Sequence, residues 1–285
     1  MRNFLTAIML LITLECVGQD STRSLLSRKG LPILPEKGNW SVGLSTAPFL
    51  NYLGNLFNNT ANNPPPSFNS PGGSLILKYM RSPISAYRIK VGLTLNSLEG
   101  NFMVQSVANT NVPPQVMDAK TYSSSFIFLG FGLERRRGQG RLQGIYGLEA
   151  NISLSSSQAS YTYGNPLSIF NPSTPFTIWD EGSASPIYQT TGNYRTLKSS
   201  RGAQLSFGVS GFIGAEYFFA PKLSLGGELG ILLRTAPAGS GSTTVEYVDT
   251  TTFTVNSVTR NLPLGSTKFL LTTVTTGSLN LNIYF

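Results

Sequence analysis

The amino-acid sequence predicts an all-β fold, an up-and-down antiparallel β-barrel of eight strands. Three observations support this prediction: a composition typical of strands, a period-two alternation of apolar and polar residues, and connections that alternate between short and long. Only 12% of the 285 residues are charged, about half the usual share, and glycine is abundant with 29 copies. The 40% of apolar residues excludes a wholly disordered chain.

Eight segments of the chain alternate with the period of two that is typical of a half-buried strand. In 222–235, for example, Leu225 and Leu229 share one face, whereas Glu228 and Arg234 lie on the other. The eight segments are 40–49, 74–80, 87–96, 123–134, 142–154, 204–219, 222–235 and 268–285. Each segment therefore predicts one strand with an apolar face and a polar face.

The connections between these segments alternate in length. The short links are 81–86, 135–141 and 219–222, and the long polar links are about 50–71, 97–121, 156–202 and 236–266. In an up-and-down sheet every second connection lies at the same end, which is the layout of a transmembrane barrel with short periplasmic turns and long extracellular loops. We expect this barrel to occupy residues 38–285. Because 236–266 itself alternates, its flanking strands extend as a hairpin, or the barrel has ten strands.

The first residues predict export from the cytoplasm. Arg2 precedes an apolar run from Phe4 to Leu14, and the small residues Cys16 and Gly18 follow. This pattern predicts that residues 1–18 form a cleaved signal peptide. The run is too short to cross a bilayer as a helix. Residues 19–37 would then form an N-terminal periplasmic linker.

Charged side chains concentrate on one face of the predicted strands. They are Lys78, Arg88, Lys90, Glu134, Glu149, Glu216, Glu228 and Arg234. The interior of an eight-stranded barrel holds little beyond side chains, so we expect these residues to fill the lumen as an ionic network and the large apolar residues to face lipid. The alternative is a soluble barrel that encloses an apolar ligand, as lipocalins do.

The last residues read LNLNIYF, with Leu279, Leu281, Ile283 and Phe285 at alternate positions. This stretch resembles the C-terminal signature of bacterial outer-membrane β-barrels, although the aromatic residue often found third from the end is here Ile283. The resemblance implies that the barrel-assembly machinery reads this strand and that the protein lies in the outer membrane of a two-membraned bacterium, among outer-membrane lipid. In size and strand count the chain is nearest to OmpX-like and OmpA-transmembrane-domain-like barrels.

The absence of histidine narrows the chemistry. With no histidine in the sequence, a Ser-His-Asp triad and a histidine-based metal site are excluded, and so are the barrel enzymes that depend on histidine. A pair of inner glutamates acting as acid and base is disfavoured because a narrow barrel offers no cleft for a substrate. We therefore expect neither catalysis nor a cofactor. The net charge of +8 is scattered rather than arranged along one face, so we also expect no nucleic-acid partner.

The long loops are the predicted place of a specific function, since binding residues concentrate on loops held by a rigid scaffold. Candidate contacts to an extracellular glycan or protein are Tyr161, Tyr163, Phe176, Trp179 and Tyr188. The alternative, which we favour, is that these rings pack on each other or lie at the membrane interface. The predicted function is a structural or surface-interaction role. A narrow small-solute channel and a soluble barrel with an apolar ligand remain as alternatives.

Basic residues cluster near the predicted short-turn end, in ERRRGQGR and in the linker. In one alternative these residues belong to solvated turns and a flexible tail. In the other they contact phospholipid headgroups or a periplasmic partner. The sequence does not separate these alternatives.

Overall fold

The computed structural model describes residues 25–45, 74–107, 114–138, 140–249, 251–252, 254–264 and 268–285. The predicted signal peptide and the first long link lie outside these residues. Within the described part of the chain, no helix is long and apolar enough to cross a membrane. Strands dominate it. They are β1 (Trp40–Ser45), β2 (Ser74–Ser82), β3 (Ser85–Gln105), β4 (Gln115–Arg137), β5 (Leu142–Thr162), β6 (Thr174–Trp179), β7 (Pro186–Gly192), β8 (Tyr194–Ala220), β9 (Leu223–Ala236), β10 (Gly239–Asp249), β11 (Thr254–Leu264) and β12 (Lys268–Tyr284).

Eight of these strands form a closed antiparallel ring. The order is β8-β5-β4-β3-β2-β1-β12-β9, and β9 pairs back onto β8. All eight pairings are antiparallel, and the strands follow one another around the ring in chain order. The predicted all-β, antiparallel arrangement of eight strands is thus confirmed. Because the ring is closed, each of its strands has a paired neighbour on both sides and presents no free edge there.

Strands β10 and β11 extend the sheet beyond the ring instead of widening it. Strand β9 pairs with the second half of β8, from Phe207, and β10 pairs with its first part, from Tyr194 to Arg201. The two therefore follow one another along the same edge of β8. Since they do not lie side by side, the ring has eight strands, and the predicted hairpin within 236–266 is present as β10 and β11.

Two predicted long loops are largely strand. Strands β3 and β4 continue their ladder to the pair Gln105 and Gln115, so the predicted loop 97–121 shrinks to 106–114. Likewise, β5 and β8 extend into the predicted loop 156–202, leaving 163–193, which contains the β6–β7 hairpin. In the β3 extension apolar and polar residues still alternate, but Leu98, Phe102 and Val104 now share the inner face. The other three extensions carry polar residues on both faces, so no alternation marks them, but backbone pairing continues.

The ring has two different ends. At the turn end, short turns join β2 to β3, β4 to β5 and β8 to β9. The β8–β9 turn contains Lys222 in the left-handed region, with φ 59°. The loop end carries the extensions and the segment 163–193.

Part of the predicted linker folds against the turn end. The Ile33 side chain is buried beside Met80, Ala86, Phe218 and Tyr284. The Lys222 amide donates to the Ile33 carbonyl at 3.0 Å, which ties the segment to a ring turn. Burial of Ile33 favours a packed segment over the alternative of a flexible tail, because an apolar side chain removed from water stabilises the packed state.

Candidate functional site

The outer surface of the ring is a belt of exposed apolar side chains, called here the outer belt. Each ring strand contributes at least one large member. Representatives in chain order are Leu44, Leu75, Leu93, Phe131, Leu148, Ile213, Leu229 and Ile283. Ile213 is 65% exposed and Leu229 58% exposed. Among the described residues, the outer belt contains no charged side chain from the turn end up to its upper limit, which is marked by Ser97 on β3 and Ser123 on β4. The alternation thus places apolar residues outside, the reverse of a soluble barrel.

Aromatic side chains border the outer belt at the turn end. The rings of Trp40 and Tyr79 lie 4.9 Å apart. Tyr87, Tyr146 and Tyr217 are exposed near the turn ends of β3, β5 and β8. This placement is typical of an aromatic girdle at a membrane interface.

The inside of the ring near the turn end holds an ionic network, called here the inner network. Arg88 on β3 is its upper centre. Its guanidinium contacts Glu228 at 2.6 and 2.8 Å, Glu149 at 2.6 Å and Glu134 at 3.3 Å. The guanidinium also lies 4.3 Å above the centroid of the Phe212 ring. One arginine therefore joins carboxylates of β4, β5 and β9.

Arg136 on β4 is the lower centre of the inner network. It contacts Glu216 at 2.8 Å and Glu134 at 2.9 Å. Lys78 on β2 joins the same two carboxylates, at 3.0 Å to Glu134 and 3.4 Å to Glu216. All four side chains are at most 1% exposed. Buried ions of this kind are tolerated only when each charge has a close partner.

The structure brings together seven of the eight residues predicted for the inner network. Lys90 is the peripheral member, 3.7 Å from Glu149. Arg234 lies further along β9, and none of the described side chains forms an ion pair with it. Arg136 completes a set of four cations and four carboxylates. The sequence analysis missed Arg136 because it stands in a run of arginines that resembled a turn, although its even position in β4 continues the inward face of Glu134.

Polar side chains of β9 and of the last strand, β12, complete the surroundings of Glu216. The Tyr284 hydroxyl donates to Glu216 at 2.8 Å, the Asn282 amide donates to it at 3.1 Å, and the Ser224 hydroxyl donates to it as well. Tyr284 is only 3% exposed. The even-numbered end of β12 is therefore part of the inner network.

The odd-numbered residues of the proposed assembly signal face outward where the structure describes them. Ile283 and Phe285 are exposed and Leu281 is half-buried, whereas the Leu279 side chain lies outside the described residues. The Phe285 carbonyl accepts from the Trp40 amide at 3.0 Å, and the Phe285 amide donates to the Trp40 carbonyl at 2.9 Å. The first and last ring strands are thus joined at this point.

Above the inner network the interior changes to small polar residues. A cavity of about 560 Å³ lies between the extended strands and the segment 163–193. Hydroxyl and aromatic residues of β4, β5, β8 and β10 line it, among them Tyr122, Tyr161, Ser157, Ser200 and Thr243. The interior is therefore filled with ions at the turn end and open at the loop end.

Asp118 fixes the β6–β7 hairpin against the inside of the loop end. Its carboxylate accepts from the Thr177 amide at 2.8 Å, the Thr177 hydroxyl at 2.9 Å and the Gly164 amide at 3.0 Å. Lys120 donates from Nζ to the Asp180 carbonyl. Both Asp118 and Lys120 are fully buried, so the hairpin lies on the inner face of β4.

The five candidate loop aromatics fall into two groups. Phe176 and Trp179 are buried, and Tyr163 packs between Tyr161 at 6.4 Å and Phe176 at 5.8 Å between ring centroids. Burial raises the pKa of the Tyr163 phenol above its ordinary value, and its hydroxyl donates to the Thr196 carbonyl at 2.7 Å. Tyr188 is exposed.

The five candidate contacts leave out the most exposed aromatic residue among the described residues of the loop end. Phe170 is 87% exposed, and no periodicity marks it within its Ser- and Pro-rich stretch. Phe170 and Tyr188 are therefore accessible to a partner, whereas the packed rings hold the segment together.

Among the described residues, no group of three or more acidic, histidine or cysteine side chains could hold a metal ion. Comparison of the chain with protein-family models, with curated proteins and with solved structures found no match.

Proposed function

We propose that this protein is an integral outer-membrane β-barrel of a two-membraned bacterium, with a non-enzymatic structural or surface-interaction role. The observation that carries the proposal is the inverted distribution of polarity: apolar side chains outside on all eight ring strands and ion pairs inside. Monomeric soluble proteins rarely expose an apolar patch larger than a few hundred Å². A lipid surrounding relieves that exposure.

The dimensions of the outer belt support a membrane span. On β3 the outward residues from Tyr87 to Leu95 are apolar, and Ser97 and Glu99 follow. These nine positions match the 9 to 11 residues that a tilted strand needs to cross the hydrocarbon. Ring closure also supports the proposal, because hydrocarbon offers no partner to an unpaired backbone amide.

The filled turn end favours the interaction role over a channel. The inner network and the buried Ile33 occupy the interior where a pore would have to pass. The same residues disfavour an apolar ligand inside a soluble barrel, since charged and polar groups occupy that space. We therefore place the function at the loop end, where Phe170 and Tyr188 are exposed to an extracellular glycan or protein.

Limited chymotrypsin digestion of intact cells tests this proposal. Chymotrypsin cleaves after exposed aromatic residues, and Phe170 is the most exposed. The expected result is cleavage within 163–193 on intact cells, with a ring that stays in the membrane fraction. The variant Phe170→Ala is the control, and it should lose the cut after residue 170. Resistance of the segment in intact cells, together with cleavage after lysis, would contradict a loop end that faces outward.

A further inference from the structure

The turn end carries an excess of exposed positive charge. Its exposed basic residues are Arg28, Lys29, Lys37, Arg81, Arg135, Arg137 and Arg141. The exposed acidic residue at this end of the described chain is Glu36. At the loop end, by contrast, the exposed charges include Glu99, Asp180 and Glu181 beside Lys198 and Arg201. The turn end is therefore suited to an anionic partner.

Two of these arginines flank a cleft on the outer surface. Arg81 is the outward neighbour of buried Met80, and Arg135 is the outward neighbour of buried Glu134. The cleft between them has a volume of about 40 Å³ and is also lined by Ser85, Tyr87 and Leu133. This volume has room for roughly one water-sized group, such as a phosphate oxygen.

The surroundings of the cleft combine charge with apolar surface. Tyr87 and Leu133 are exposed members of the outer belt directly next to the arginines. Glu134 also lines the cleft, but its carboxylate is held inside by Lys78, Arg88 and Arg136. A ligand here would meet two guanidinium groups at one end and an apolar wall beyond them. This arrangement fits an anionic amphiphile, because planar guanidinium groups bind phosphate oxygens well.

We propose that Arg81 and Arg135 bind the phosphate of an anionic phospholipid in the membrane leaflet at the turn end, with the acyl chains lying along Tyr87 and Leu133. This inference rests on the proposed membrane location. It assigns the basic turn residues a specific ligand, in place of general attraction to a charged surface.

Native mass spectrometry of the full-length folded protein tests the assignment. The protein is purified in a neutral detergent, and dioleoyl phosphatidylglycerol or dioleoyl phosphatidylcholine is added in equal amounts. We expect the wild-type protein to retain phosphatidylglycerol in preference to phosphatidylcholine. The double variant Arg81→Gln/Arg135→Gln should lower the affinity for phosphatidylglycerol by about thirtyfold, since two interfacial cations are removed.

Two control variants make the result specific. Arg201→Gln removes an exposed arginine at the loop end and should leave retention unchanged. Arg81→Lys/Arg135→Lys keeps the positive charge but removes the planar guanidinium groups. Its affinity for phosphatidylglycerol should therefore lie between those of the wild type and the double glutamine variant. Equal retention of the two lipids, equal retention by the glutamine variant, or displacement of the lipid by an equal concentration of inorganic phosphate would each overturn the assignment.

The heat-dependent gel mobility of every variant is recorded in parallel. A folded protein that resists SDS until heated but shows no preference for phosphatidylglycerol overturns this inference alone. A protein without such a mobility shift and without membrane association overturns the proposed function instead.

Discussion

The two ends of the ring are built from the same eight strands but stabilised in different ways. At the turn end, four cations and four carboxylates fill the interior, and Ile33 covers them. At the loop end, small hydroxylated side chains line a cavity of about 560 Å³, and the β6–β7 hairpin is held by Asp118. The difference indicates that the outer belt requires a filled, rigid interior behind it, whereas the extensions above the belt are free to carry binding surfaces.

The largest expected effect comes from breaking the inner network at its upper centre. Arg88→Ala leaves Glu228 buried without its cation and Glu149 with only Lys90 at 3.7 Å, so we expect the free energy of unfolding to fall by about 3 to 5 kcal/mol. Guanidinium titration in lipid vesicles measures this change. The matched control is Arg234→Ala on the same inward face, which should cost under about 1 kcal/mol because no described side chain forms an ion pair with Arg234. Equal losses for both variants would contradict a network centred on Arg88.

A charge placed in the outer belt has the next largest expected effect. Leu229→Arg should lower the free energy of unfolding in lipid vesicles by about 2 to 4 kcal/mol if Leu229 lies near the midplane of the bilayer. Ser97→Arg, just beyond the belt on β3, should cost only about 0 to 1 kcal/mol. The comparison measures the depth of the belt directly. If both substitutions are neutral, the belt does not face hydrocarbon, since a charge on a water-exposed surface costs little.

Removing the carboxylate that holds the hairpin should act locally at the loop end. Asp118→Ala removes the charged acceptor of three hydrogen bonds. Each hydrogen bond to a charged group contributes about 1.5 to 3 kcal/mol, so the free energy needed to open 163–193 should fall. We expect faster chymotrypsin cleavage in this segment and an unchanged unfolding midpoint of the ring. Asp249→Ala, at the last residue of β10, is the control and should not alter that cleavage rate. A lowered midpoint for Asp118→Ala would mean that the two ends are not independent.

The smallest expected effect on stability concerns the outward aromatic ring of β12. Phe285 is 64% exposed, so Phe285→Ser should change the free energy of unfolding by less than about 1 kcal/mol in detergent. If the assembly machinery reads this position, the same variant should reach the outer membrane more slowly in pulse-chase experiments. Phe269→Ser changes an exposed phenylalanine at the other end of the strand and should not slow assembly. Equal delays for both variants would contradict a positional signal.

The alternation of apolar and polar residues predicted most of the ring. Because the side-chain period of a strand is two, residues such as Leu229 and Glu228 were assigned to opposite faces, and the structure places them so. Seven of the eight predicted network residues come together for the same reason. Opposite charges on one face of a closed sheet have no other place to pair.

The sequence could not predict features that depend on long-range packing. The extension of β4 is polar on both faces, and its backbone pairing with β3 defines it. Ile33 lies in the short apolar stretch LPILP, which is too short to show a period, so nothing local indicates that it covers the turn end. The position of the β6–β7 hairpin depends on Asp118, which is more than 50 residues away from Thr177 in the chain. Such contacts leave no periodic pattern.

Gel mobility of the outer-membrane fraction in SDS, with and without boiling, tests the membrane barrel most directly. A closed ring buried in lipid and stabilised by the inner network should resist SDS at room temperature and change its mobility only after heating. We predict such a shift, confined to the outer-membrane fraction. A protein recovered only in soluble fractions, with the same mobility before and after boiling, would contradict the transmembrane barrel.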